Sequence, residues 1–187
     1  GLVPSVVTAV GDDENGVLML SACARRKVDT SHIRVVPGGQ TAVIEMLLNG
    51  RDRVHHRADK GVMIPYQPTG EDMDFIRSQD CIHTDLSWQV TGLLSDMRRN
   101  GTKIYFDFSK RYQHPDVPEI LKNINYGIFS FEEENEEVRD LLKMGCGLGA
   151  EILLATLGEK GSLAYDGSQF YRQPCIPAAK LVNTVGA

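Results

Sequence analysis

Four short segments carry side chains that could act on a phosphate, a hydroxyl or a metal ion. Asp107 ends an apolar run and is followed by Ser109 and Arg111. A carboxylate, a hydroxyl and a guanidinium at that spacing could hold a sugar hydroxyl or a phosphate, or the Asp could simply cap a strand end. Ser130 and Glu133 close another run, Tyr126 to Ser130. Glu133 could organise a hydrated Mg2+, which takes one or two carboxylates beside phosphates and water, or it could be an acid favoured at a helix start. Thr156-Leu157-Gly158-Glu159-Lys160-Gly161 follows a third run. Its threonine and two glycines let a phosphate or a base approach the backbone, and a plain hairpin turn would use the same residues. Asn183-Thr184-Val185-Gly186-Ala187 stands last, a turn able to present successive N–H groups to an anion.

Other candidates fall away on spacing. Gly145, Gly147 and Gly149 follow a helical stretch and precede a strand, the reverse of a dinucleotide loop, so a nicotinamide-dependent oxidoreductase lacks its fingerprint. His55 and His56 are adjacent on a strand and point to opposite faces, while His32, His83 and His114 lack spaced partners. The four cysteines, Cys23, Cys81, Cys146 and Cys175, form no Cys-x-x-Cys pair, which points to free thiols in a reducing compartment and so to the cytoplasm. The net charge of −5 over 187 residues argues against a nucleic-acid or anionic-membrane partner, because phosphate backbones demand a basic footprint. No apolar run approaches the ~20 residues of a membrane span.

The elements that must position these residues alternate between strand and helix. Ser5 to Val10 reads as a buried strand, and a helix to about Arg26 carries Val17, Leu18, Leu20 and Ala24 on one side. Gln40 to Leu48 and Arg53 to Ala58, joined through Asn49-Gly50, form a hairpin with apolar residues on both faces. From Thr69 the order is helix (70–78), strand (80–84), helix (88–100), strand (103–108), helix (117–123), strand (126–130), helix (132–144) and strand (151–156). A hairpin, 162–165 and 169–172, follows over Asp166-Gly167. Such alternation implies βαβ crossovers and a mostly parallel sheet sandwiched by helices. Ligands of open parallel sheets sit beyond the carboxyl ends of the strands. The chemistry is therefore expected just after Val10, Phe108, Ser130 and Thr156.

In this order the segments resemble the ribokinase-like carbohydrate kinases. Val10-Gly11-Asp12-Asp13-x-x-Gly16 resembles the family's VGDDxxG loop, and Val28-Asp29-Thr30-Ser31-His32 its VDTS linker. Asp107-x-Ser109-x-Arg111 resembles DxNxR and Ser130-x-x-Glu133 resembles NxxE, each with Ser for Asn. Thr156-Leu157-Gly158-x-x-Gly161 matches TLGxxG, and Asn183 to Ala187 matches the start of DTxGAGD with Asn for the leading Asp. Within the family, Gly61-Val62-Met63, Phe106 to Ser109 and Gly158 to Gln173 look like the fructosamine kinase subgroup, the fructoselysine 6-kinases.

The resemblance implies a three-layer α/β/α domain over residues 1–187 with 38–60 inserted as a β-hairpin lid. It implies ATP-dependent phosphorylation of a sugar or glycated amine, the 6-hydroxyl of fructoselysine or a related fructosamine included. ATP would lie along Ser130, Thr156, Leu157, Gly158, Lys160 and Gly161, and Glu133 would help place Mg2+. Asp85, Asp107 and Arg111 would bind the substrate. Gly186 and Ala187 would form the anion hole, and Asn183 would hold a monovalent cation weakly, having lost the carboxylate charge. The hairpin would pair two subunits. The catalytic aspartate of the motif would fall two positions beyond Ala187, and a sugar-binding strand would precede Ser5. The chain is accordingly expected to be truncated at both ends, inactive and prone to associate. The other reading is a non-catalytic nucleotide- or sugar-binding protein.

Overall fold

The computed structural model describes residues 3–49 and 52–177. These divide into two compact units that meet in sequence at Met73 and Asp74.

In the first unit, strand β1 (Thr8–Gly11) is buried along its whole length. Helix α1 (Glu14–Arg25) follows, and strand β2 (Ile33–Val36) returns parallel to β1, with Thr8 level with Ile33 and Gly11 with Val36. Asp13 is the N-cap of α1 and accepts from Gly16 N, one of the four amides a helix start leaves without an internal partner. An antiparallel hairpin comes next, β3 (Val43–Asn49) and β4 (Asp52–Asp59), with a register shift between Glu45 and Met46. A 3-10 turn at Gly61–Met63 brings the Met63 sulfur to Thr8 Oγ1, 3.5 Å away. Helix α2 (Gly70–Arg77) opens on a reciprocal capping box: Thr69 N donates to Asp72 Oδ2 and Asp72 N donates to Thr69 Oγ1. Asp72 also takes a hydrogen bond at 2.9 Å from His32 Nδ1, which ties β2 to the helix.

The second unit is built on a six-stranded sheet. Strands β5 (Cys81–Asp85), β6 (Lys103–Ser109), β7 (Tyr126–Ser130) and β8 (Ile152–Thr156) run parallel in that order. Strands β9 (Ser162–Tyr165) and β10 (Phe170–Gln173) extend the sheet antiparallel beyond β8. Helices α3 (Leu94–Met97), α4 (Val117–Asn123) and α5 (Glu136–Leu148) join the strands. Period-2 alternation sends Ile104, Phe106, Phe108, Phe129, Leu153 and Leu163 into the core beneath α4 and α5. The rings of Phe108 and Phe129 stack 4.3 Å apart. Gly145 lies where α5 crosses β8, and a Cβ there would come 2.3 Å from Leu153 Cδ1. That glycine is a packing residue, as its helix-then-strand context implies.

The amino edge of the sheet is locked by Asn125. Its amide oxygen accepts from Ile104 N and its amide nitrogen donates to Glu151, joining the entrances of β6, β7 and β8. Lys103 meets the same carboxylate at 2.6 Å, and Lys103 and Asn125 hold the Glu151 carboxyl down to about 2.

Several expectations are corrected. The first strand is Thr8–Gly11, with Ser5 making only an isolated bridge to Asp29. Strand β2 was not anticipated. Val17 and Leu18 of α1 are 61% and 62% exposed, so the apolar stripe does not mark the side buried among the described residues. The expected helix over 88–100 is two 3-10 turns and the single α-turn of α3. Gln89, at φ +50, takes a left-handed conformation that no helix interior accepts. The helix expected over 132–144 starts at Glu136, because Asn135 caps it by accepting from Val138 N. Lys143 is therefore in mid-helix, and Glu133 stands in the loop before the helix.

Candidate functional site

The four parallel strands end together, and their carboxyl edge collects the residues singled out by spacing. Asp85 and Asp107 are level on β5 and β6, and Ser130 and Thr156 are level on β7 and β8. Asp85 accepts from Ser87 N and so starts the 3-10 turn at Leu86–Trp88. Asp107 Oδ1 accepts from Ser109 N at 2.7 Å and from Ser109 Oγ at 3.2 Å. Both carboxylates thus shape loops, and the second oxygen of Asp107 makes no hydrogen bond among the described residues.

Ser109 sits at φ +50, at a register shift between β6 and β7. The left-handed region favours Gly and Asn, so a serine here bears a local cost of about 1 kcal/mol. Arg111 N donates to Phe108 O, which turns the chain back, and Arg111 is exposed with no ion-pair partner among the described residues.

On the other half of the edge, Thr156 Oγ1 lies 3.3 Å from both Ser130 Oγ and Phe129 O. The next five residues, Leu157 to Gly161, make a tight turn. Leu157 buries its side chain in the core and gives its N–H to Gly161 O at 2.8 Å, so it offers neither group to a ligand. Gly158, at φ +56, would meet nothing within 4 Å if it carried a Cβ. Gly161, at φ +93, is different: a Cβ there would lie 2.1 Å from Gln173 O. The second glycine of the motif is thus fixed by close packing against the chain leaving β10, and the first faces open space.

Glu133 and Lys160 meet over this turn, Lys160 Nζ donating to Glu133 Oε2 at 2.8 Å. The ammonium, by hydrogen bond and charge, holds the Glu133 carboxyl below the usual carboxylate range. An open basin of about 590 Å3 begins at this pair and is lined further by Glu134, Arg139, Lys143 and Arg172. Glu134, which sequence reasoning passed over, is bonded by Arg139 and meets Arg172 at 2.9 Å. Its only sequence signal is a third consecutive acid ahead of a capping asparagine.

In the first unit, Gly11 to Gly16 forms a clasp on the foot of the hairpin. Asp13 accepts from Gly16 N, from Thr41 N at 2.9 Å and from Thr41 Oγ1 at 2.6 Å, while Thr41 Oγ1 accepts from Gly11 N at 2.9 Å. Those bonds hold the Asp13 carboxyl below its ordinary range, Thr41's hydroxyl contributing most. Asp12 accepts from Gly38 N. Cβ atoms at Gly11, Gly16, Gly39 and Gly61 would all come within 2.4 Å of a neighbour. Thr41 was not singled out by sequence, although a polar residue between Gly38-Gly39 and an apolar strand was a signal. Asp29 bonds Ser31 N and Oγ and shapes the loop before β2. Asn183, Gly186 and Ala187 lie outside the described residues.

A mostly parallel sheet with hydroxyls, carboxylates and a glycine turn gathered at its carboxyl edge defines an open α/β protein whose ligand edge is that one. The pfkB family carbohydrate kinase profile matches residues 1–187, and the chain belongs to that family. It is 31% identical over 187 residues to the fructoselysine 6-kinase of Escherichia coli (strain K12), covering all of this chain and 71% of that protein. It is 26% identical over 189 residues to a fructosamine kinase of Bacillus subtilis (strain 168), covering 98% of this chain and 65% of the relative. The Arabidopsis thaliana ribokinase structure, complexed with ribose and ATP, superposes with a TM-score of 0.80 at 20% identity, covering 98% of this chain and 65% of that one. The fold is therefore ribokinase-like.

Proposed function

We propose that the chain serves phosphoryl transfer from ATP to a hydroxyl of a sugar or sugar-amine, with the 6-hydroxyl of fructoselysine or a related fructosamine as acceptor. The observation that carries this reading is the turn at Thr156–Gly161, open at Gly158 and bordered by the Ser130 hydroxyl and the Glu133–Lys160 pair. The relatives' names supply the substrate class.

The residues fit both cofactors. Hydroxyls and an open glycine suit a polyphosphate, and one exposed carboxylate suits a Mg2+ that keeps its water and takes most of its oxygens from phosphate. Among the described residues no group of three or more His, Cys, Asp or Glu side chains is placed to hold a metal by itself. Mg2+, when bound, would neutralise charge on the transferring group. In this reading Ser130, Thr156, Gly158 and Lys160 line the nucleotide, and Leu157 and Gly161 hold the turn in shape. Asp107, with one oxygen uncommitted, and Arg111 meet the substrate, and Asp85 sets the loop beside them. Gly186 and Ala187 are assigned the anion hole and Asn183 a weak monovalent-cation position. The protein acts in the cytoplasm, on a small molecule, as a homodimer paired through the hairpin, whose Ile44 and Leu47 are exposed.

The test is ATP consumption by the full-length protein with fructoselysine, other fructosamines and ribose. Fructosamine-dependent ADP release is expected, and Glu133→Gln is expected to lower kcat about tenfold or more with the sugar KM little changed, since Glu133 acts through the metal. ADP release with none of these acceptors sinks the substrate assignment, and an unchanged kcat in Glu133→Gln removes Glu133 from the site.

A further inference from the structure

Glu133 and Glu134 are neighbours in sequence with opposite commitments. The side chain of Glu134 is 12% exposed, hydrogen-bonded by Arg139 and ion-paired with Arg172, so its charge is answered inside the fold. Arg139 also stacks on the Phe170 ring, 4.5 Å from the centroid, which fixes the guanidinium that Glu134 neutralises. Glu133 is 63% exposed and, among the described residues, holds a single cation, Lys160, itself 56% exposed, and leans on no ring. An exposed lysine–carboxylate pair is held weakly against water, so separating it costs little. Arg139 is thus locked, and Lys160 is exchangeable.

We infer that the Glu133–Lys160 pair is a charge-exchange latch. Lys160 leaves Glu133 for the phosphates of an arriving nucleotide, and the freed carboxylate turns to the hydrated cation that accompanies them. This rests on the phosphoryl-transfer reading above and adds to it a positioning role for Lys160. Geometry favours the exchange. Lys160 is the last residue of the 3-10 turn that begins at Gly158, and its N–H is tied to Leu157 O, so the backbone stays fixed while the side chain swings. Lysine suits such a move, being a point charge on a flexible stem, where an arginine would favour a fixed planar fork. The latch also keeps a lone carboxylate from repelling polyphosphate before the cation is in place.

Calorimetric titration of the full-length protein with ATP in EDTA, and separately with MgCl2 alone, tests this. Lys160→Met is expected to weaken metal-free ATP binding about tenfold, with Lys160→Arg recovering most of the loss. Glu133→Gln is expected to strengthen metal-free ATP binding severalfold, because it releases Lys160. Both variants are expected to melt within about 2 °C of the unaltered protein, since the pair is exposed. Metal-free binding unchanged by Lys160→Met overturns the latch alone. So does equal weakening by both variants, or a melting loss of about 5 °C or more, which would make the pair structural. No nucleotide binding by the unaltered protein overturns the phosphoryl-transfer reading along with the latch.

Discussion

Two of the glycine-bearing loops that follow strands, Gly11–Gly16 at β1 and Thr156–Gly161 at β8, use glycine for different ends. In Gly11–Gly16 both glycines are required by backbone approach, and the polar groups between them are spent inside the unit: Asp13 on Gly16 and Thr41, Asp12 on Gly38. In Thr156–Gly161 only the second glycine is packed, the first faces open space, and the charges beside it meet each other at the surface. A loop whose donors and acceptors are all answered from within is a clasp. One that leaves an open glycine and loosely held charges is a place for a ligand.

The largest effect that would break this contrast comes from adding a methyl group to each loop. Gly16→Ala places a Cβ 2.1 Å from Gly11 O, where backbone must shift, and it is expected to destabilise by about 3 kcal/mol or more. Gly158→Ala meets no atom and bears only the left-handed backbone cost of about 1 kcal/mol. Chemical denaturation of both variants measures the gap, and equal losses would erase the distinction. A smaller effect sharpens it. Thr41→Val leaves the buried Gly11 N without its bond and takes one of the two hydrogen bonds from Asp13 Oδ1, for an expected loss of about 2 kcal/mol by the same measurement.

The smallest effect compares two ion pairs at opposite edges of one sheet. Glu151 is anchored by Lys103 and by buried Asn125, whereas Glu133 has, among the described residues, Lys160 alone. A depressed carboxyl contributes stability that is present above its unfolded value of 4.5 and is lost as pH falls toward its folded value of about 2. Melting scans from pH 5 down to about pH 2 are expected to show a loss that Glu151→Gln reduces, modestly because the pair is partly exposed. Glu133→Gln is expected to reduce that loss by less, because Lys160 alone depresses its carboxyl.

Legibility from sequence followed the range of the interactions. Strands β6, β7 and β8, helix α4 and both hairpins were readable, because period-2 burial, Asn-Gly and Asp-Gly turns and flanking breakers are local signals. Strand β2 was not, since Ile33-Arg34-Val35-Val36 is short and only Ile33 of the four is buried. The end of β8 and the acids after β7 were readable as candidate sites because an open parallel sheet exposes ligands at its carboxyl edge. Which glutamate is committed, which glycine is packed, and that Thr41 completes the clasp depend on partners a dozen or more residues away (Arg172 for Glu134, Gln173 for Gly161, Asp13 for Thr41), and no local pattern reports them. Asn135 was a local signal overlooked in favour of the three acids before it.

The hairpin β3–β4 pairs only with itself among the described residues, and its Ile44, Met46 and Leu47 are exposed. Two strands without a covered face are marginal in water. The amides of this ribbon therefore run on a faster clock than those of β6 to β8: they meet solvent through small openings that cost little, while the stacked phenylalanine strands exchange only when their whole sheet comes apart.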